Sequence, residues 1–152
     1  MGNGDVPFLP VVKRSAATFS ELMSTVRAPS GKKDRGITDI RETENLVLVP
    51  DGHYYYMLWV SRWKPGGPGS ITDDRRPTTE EIISCGIHMD LSASDQLYAF
   101  GSLAVTCLGD KCVPGLWMDF LKDGPSLSAA YLPDYSDRRF RDGFVPSCLE
   151  RI

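Results

Sequence analysis

The densest apolar stretch of the chain is 53–64, where Tyr54, Tyr55, Tyr56, Met57, Leu58, Trp59, Val60 and Trp63 crowd together. Aromatic and β-branched residues at this density predict a strand. Alternation places Tyr54, Tyr56, Leu58 and Val60 on one face and Tyr55, Met57 and Trp59 on the other. Both faces are apolar, so the strand needs cover on two sides. Where the fold covers only one side, the other is left as a contact surface. Tyr54, Tyr55, Tyr56, Trp59 and Trp63 are therefore the candidate interface residues.

The remaining pattern places elements around this stretch. Gly2, Gly4, Pro7 and Pro10 predict an extended or disordered start. A short helix is predicted over 18–27. Thr18 and Glu21 have capping-box spacing, and Phe19, Leu22, Met23 and Val26 share a face. Residues 46–49 read as a strand and Pro50-Asp51-Gly52 as a turn, which predicts a hairpin over 46–63. Residues 64–79, rich in Pro and Gly, predict a long exposed loop. In 81–91, Ile83, Cys85, Ile87, Met89 and Leu91 alternate with polar positions, the pattern of a half-buried strand.

Residues 94–108 favour a helix. Ser92 or Ser94 can cap it, Gly109 can end it, and Asp95, Ala99, Ser102 and Thr106 recur at helical spacing. Gly101, Val105, Thr106 and Cys107 speak for a strand instead. Two further strands are predicted over 113–121 and 127–132, joined by a turn at 122–125. The tail from Pro133 is charged, and Phe140, Phe144 and Val145 are its means of docking on the body. The expected architecture is α+β, an antiparallel sheet of about five strands with one or two packed helices. The expected division is a basic arm with a short helix over 1–36, a globular core over 37–135 and a charged tail over 136–152.

Composition adds little to this except through charge. The chain has 152 residues and a net charge of −3, which speaks against a general nucleic-acid binder. The charge is unevenly placed. Residues 1–36 sum to +3 and the rest to −6, a basic arm on an acidic body. Lys13, Arg14, Lys32, Lys33 and Arg35 are the candidate anion-binding residues, with anionic lipid or nucleic acid as their partner class. The segment Ser30-Gly31-Lys32-Lys33-Asp34-Arg35-Gly36 lacks the order of a phosphate-binding P-loop. Val6 stands where N-myristoylation requires Ser or Thr. No apolar run is long enough to span a bilayer and no secretory leader is evident, so a cytoplasmic, reducing setting is expected.

In that setting the four cysteines are thiols or metal ligands before they are disulfides. Cys85, His88, Cys107 and Cys112 approach structural zinc spacing, but a strand over 81–91 points Cys85 and His88 to opposite faces. Were 103–108 a strand, Gly109 and Asp110 would turn it and Cys107 would face Cys112. His53 and His88 are the only histidines, and no nucleophile elbow accompanies them. Arg138, Arg139 and Arg141 with Phe140 resemble a phosphate or base contact, but Asp137 and Asp142 bracket them. No cofactor and no catalytic residue is assigned.

The order of strand, capped helix rich in small residues and further strands behind a basic arm is similar to matrix proteins of rhabdovirus type. So is the tract Ala130-Tyr131-Leu132-Pro133. This resemblance implies a virion-associated structural protein. The reading the residues support is a non-enzymatic structural or interaction module that self-associates or docks a partner protein. The alternatives are a small zinc-binding or thiol redox protein, and a host-directed inhibitor that acts by binding.

Overall fold

The aromatic stretch forms the central strand of a small sheet, flanked by strands from opposite ends of the chain. The structure is a computed structural model. It describes residues 8–28, 36–37, 40, 42–59, 64–65, 75–92, 95–106, 108–109, 111–118, 124–131, 144–145 and 148–152. Strand β1 (Phe8–Val12) runs antiparallel to β4 (Tyr54–Trp59), with Phe8 opposite Leu58 and Val12 opposite Tyr54. On its other side β4 pairs antiparallel with β11 (Cys148–Arg151), where Arg151 lies opposite Met57. Paired residues share a face. Leu9, Val11, Tyr55 and Met57 are all no more than 5% exposed and form the inner face, packed into the core.

Two helices close that core. Helix α1 (Phe19–Met23) is capped by Thr18, with the reciprocal Glu21 contact in place, and buries Leu22 and Met23. Helix α2 (Thr79–His88) starts from a second capping box, Thr78 with Glu81. Its residues Thr79, Glu80, Glu81, Ile82, Ile83, Ser84, Cys85 and Gly86 are all buried. The Ser84 hydroxyl donates to the Pro10 carbonyl at 2.7 Å and so ties α2 to β1. A Cβ on Gly86 would stand 2.8 Å from Leu116 and 3.1 Å from Val26, which shows how closely the layers approach there.

The larger sheet is built on β8 (Lys111–Trp117). One side of β8 pairs with β9 (Ser126–Tyr131), and the other with β7 (Ser102–Val105) and then β6 (Gln96–Tyr98). Pro114 lies between the stretch paired with β7 and the stretch paired with β6, where a missing N–H costs least. Strand β3 (Glu42–Asn45) extends the β7 edge, and β2 (Gly36–Ile37) runs parallel to β9. Strands β10 (Phe144–Val145) and β5 (Lys64–Pro65) complete it beside β6. The fold is thus α+β, with its strands divided between two sheets.

Three local expectations are corrected. Residues 81–91 do not form a strand; most of them belong to α2. Because eight consecutive residues of α2 are buried, polar and apolar positions do not separate at helical spacing, and the fortuitous alternation of Ile83, Cys85 and Ile87 dominated the pattern. The described residues within 94–108 form β6 and β7 rather than a helix, broken at Gly101. A Cβ there would stand 2.4 Å from the Arg76 carbonyl oxygen, and its N–H donates to the Pro77 carbonyl at 2.7 Å. The hairpin over 46–63 does not form, because β3 pairs with β7 and β4 pairs with β1 and β11. The element order that resembled a matrix protein included the helix over 94–108 and is not present.

Candidate functional site

The outer face of the small sheet carries what the inner face hides. Phe8, Tyr54 and Tyr56 are 47%, 63% and 46% exposed, and Ile152 is 58% exposed. Tyr56 exchanges two backbone hydrogen bonds with Ile152, at 3.0 and 2.8 Å, so Ile152 extends the face beside it. Pro10, Val12 and Leu58 fill the positions between. Tyr54 and Tyr56 meet edge-on, with ring centroids 6.3 Å apart. Among the described residues of this face, Glu150 is the single charged side chain. Tyr55, by contrast, points inward and is buried. The side chain of Trp59 and all of Trp63 lie outside the described residues.

A buried polar knot ties the sheet to α2 from behind. The Glu81 carboxylate is fully buried and accepts four hydrogen bonds. The Thr78 N–H donates at 2.8 Å and the Tyr55 phenol at 2.8 Å. The Arg151 guanidinium donates twice, at 2.6 and 2.9 Å. Arg151 also donates to the Arg76 carbonyl at 3.0 Å. One carboxylate, capping its own helix, thereby joins α2 to β4 and β11. Four donors match the lone-pair capacity of a carboxylate, which makes the burial of this charge tolerable. Burial, followed by the Glu81 charge and hydrogen bond, pushes the Tyr55 phenol well above its ordinary range.

Two of the anion-binding candidates are engaged inside the protein. The Lys13 ammonium donates to the Pro50 carbonyl and lies 5.9 Å from the Tyr55 ring centroid. Arg14 donates to the Thr43 carbonyl and hydroxyl and lies over Phe19. Lys32, Lys33 and Arg35 lie outside the described residues. His53 meets Ser15 at 3.2 Å, and both are exposed on the surface.

The cysteine constellation is not assembled. Cys85 is buried in the core on α2, while His88, at the exposed end of that helix, is held below its ordinary range by partial burial and then by Arg27. Cys112 is buried in β8, where Ala104 is its partner; the expected facing of Cys107 and Cys112 is therefore replaced, and Cys107 lies outside the described residues. Among the described residues, no group of three His, Cys, Asp or Glu side chains is placed to hold a metal ion. Nor, among them, is any helix long and apolar enough to cross a membrane.

Comparison with known proteins finds no match: no family model, no curated protein and no solved structure resembles the chain.

Sequence reasoning assigned no role to Glu80, Glu81 or Arg151. The signal was the spacing of Thr78 and Glu81, a capping box that marks a helix start. No local pattern reveals that Arg151, 70 positions away, answers Glu81.

Proposed function

We propose that the protein is a non-enzymatic interaction module whose contact surface is the outer face of β1, β4 and β11. The observation that carries this reading is the exposure of Phe8, Tyr54, Tyr56 and Ile152 on a sheet whose opposite face is sealed. At their observed exposures, the three aromatic side chains present about 300 Å2 of surface. That is the scale of the largest apolar patch on an ordinary monomer. It is also the scale expected for the apolar centre of an interface burying about 800 Å2 per partner. A face this poor in charge favours an apolar protein surface, either a second copy or a partner protein, over anionic lipid or nucleic acid. The rigid backing from Glu81 and Arg151 supports the reading, because a preorganised face loses less entropy on binding. A host-directed inhibitor would act through the same face.

The test is capture from the native source by the immobilised chain and by Tyr54→Ser/Tyr56→Ser. The expected result is a defined protein, or the chain itself, retained by the wild type and lost from the variant. Equal retention by both, or none by either, contradicts the proposal.

A further inference from the structure

The sheet of β1, β4 and β11 has two edges as well as an outer face, and both edges resist an added strand. Pro10 on β1 has no N–H to donate, and its carbonyl accepts from Ser84 of α2. At the other edge β11 has four residues and changes register between Cys148 and Glu150, which blunts it. A partner therefore lies across the face rather than lengthening the sheet. A segment laid on apolar side chains has to satisfy its own backbone N–H and C=O groups. A helix does so alone, and a single extended strand does not.

The dimensions of the face fit one helix. Three strands about 4.8 Å apart make it about 14 Å wide, and the six residues of β4 make it about 20 Å long. A helix with its side chains is about 10–12 Å across and rises about 1.5 Å per residue, so about 13 residues cover the length. The inner face of the same sheet already shares its core with α1 and α2.

A second copy fits less well. A stable pair uses about 20–30 residues a side. Among the described residues this face offers three from β1 and three from β4, with Glu150 and Ile152 beside them. A second copy also brings the same net charge of −3. The chain from residue 37 onward sums to −6, which steers a basic partner toward it.

We propose that the partner segment received by this face is a single amphipathic helix of about 13 residues, with an apolar stripe over Phe8, Tyr54, Tyr56 and Ile152 and Lys or Arg on its flanks. This rests on the interaction reading above and narrows it to one kind of partner.

The experiment selects displayed peptides of about 13 residues on the full chain. One half of the library has apolar positions at i, i+3, i+4 and i+7, and the other half alternates them; flanking charge varies in both. Tyr54→Ser/Tyr56→Ser and, separately, Phe8→Ser serve as counter-screens. The expected result is enrichment of the helical pattern with Lys or Arg flanks. The resynthesised peptides gain helical circular dichroism on binding and bind each variant about tenfold more weakly or worse. Enrichment of the alternating pattern, or of acidic flanks, on the wild type alone overturns the helix and leaves the face as a contact surface. No enrichment of either pattern also overturns the helix, and self-association lost from the variants would then assign the face to a second copy. Equal enrichment on the wild type and both variants overturns the helix and the contact face together.

Discussion

The two faces of the β1, β4 and β11 sheet are made from the same alternating sequence and have opposite fates. Inward go Leu9, Val11, Tyr55 and Met57, sealed by α1 and α2 and pinned through Glu81 and Arg151. Outward go Phe8, Tyr54, Tyr56 and Ile152, equally apolar and in contact with solvent. Burial of one apolar side chain contributes roughly 1.5–3 kcal/mol. The inner face has collected that contribution on folding, and the outer face retains it for association. Apolarity alone therefore does not separate core from contact surface in this strand; cover does.

The largest effect is expected where the two faces share an anchor. Arg151→Met leaves the Glu81 carboxylate buried without its ion pair, whose side chains are 10% and 0% exposed. A loss of about 3–5 kcal/mol is expected in urea unfolding. A loss below about 1 kcal/mol would show that the pair is solvated and does not hold the sheet. Next comes the inner face itself. Met57→Ala removes a side chain that is 1% exposed and should cost about 2–5 kcal/mol, measured the same way. Gly101→Ala forces a Cβ against the carbonyls of Arg76 and Pro77 and should cost about 1–3 kcal/mol. The smallest effect on stability belongs to the outer face. Tyr54→Ser/Tyr56→Ser should change unfolding by no more than about 0.5 kcal/mol per site.

Alkali tests the sealed face by a different property. The folded state holds the Tyr55 proton more tightly than the unfolded chain does. Its contribution to stability is complete below the ordinary phenol range, near pH 10, and falls as pH rises through that range. The ultraviolet titration of the folded protein should therefore leave the Tyr55 phenol un-ionised past that range, and Tyr55→Phe should shrink the late component by one phenol. A Tyr55 that ionises with ordinary phenols would place it outside the sealed face.

What was legible in the sequence was local. The capping box of Thr18 and Glu21 marked α1, and turn residues between apolar runs marked β8 and β9, because a few neighbouring side chains decide each. The division of β4 into two alternating faces was legible for the same reason, but not which face turns inward: Tyr55, read as an interface residue, is buried. What decided the rest was long-range. Residues 46–49 look like a hairpin partner for β4, but the flanking strands come from 8–12 and 148–151. The helical spacing in 94–108 was outweighed by Gly101, whose role is set by the carbonyls of Arg76 and Pro77. Glu81 and Arg151 are ordinary surface residue types until the fold brings them together and buries them.

The central claim is that the outer face is the contact surface. Sedimentation velocity tests it most directly. Wild type and Tyr54→Ser/Tyr56→Ser are compared over a concentration series, alone and with any captured partner. The account predicts larger species for the wild type that are absent from the variant, with the two proteins unfolding at closely similar temperatures. Identical sedimentation of the two under every condition would contradict it.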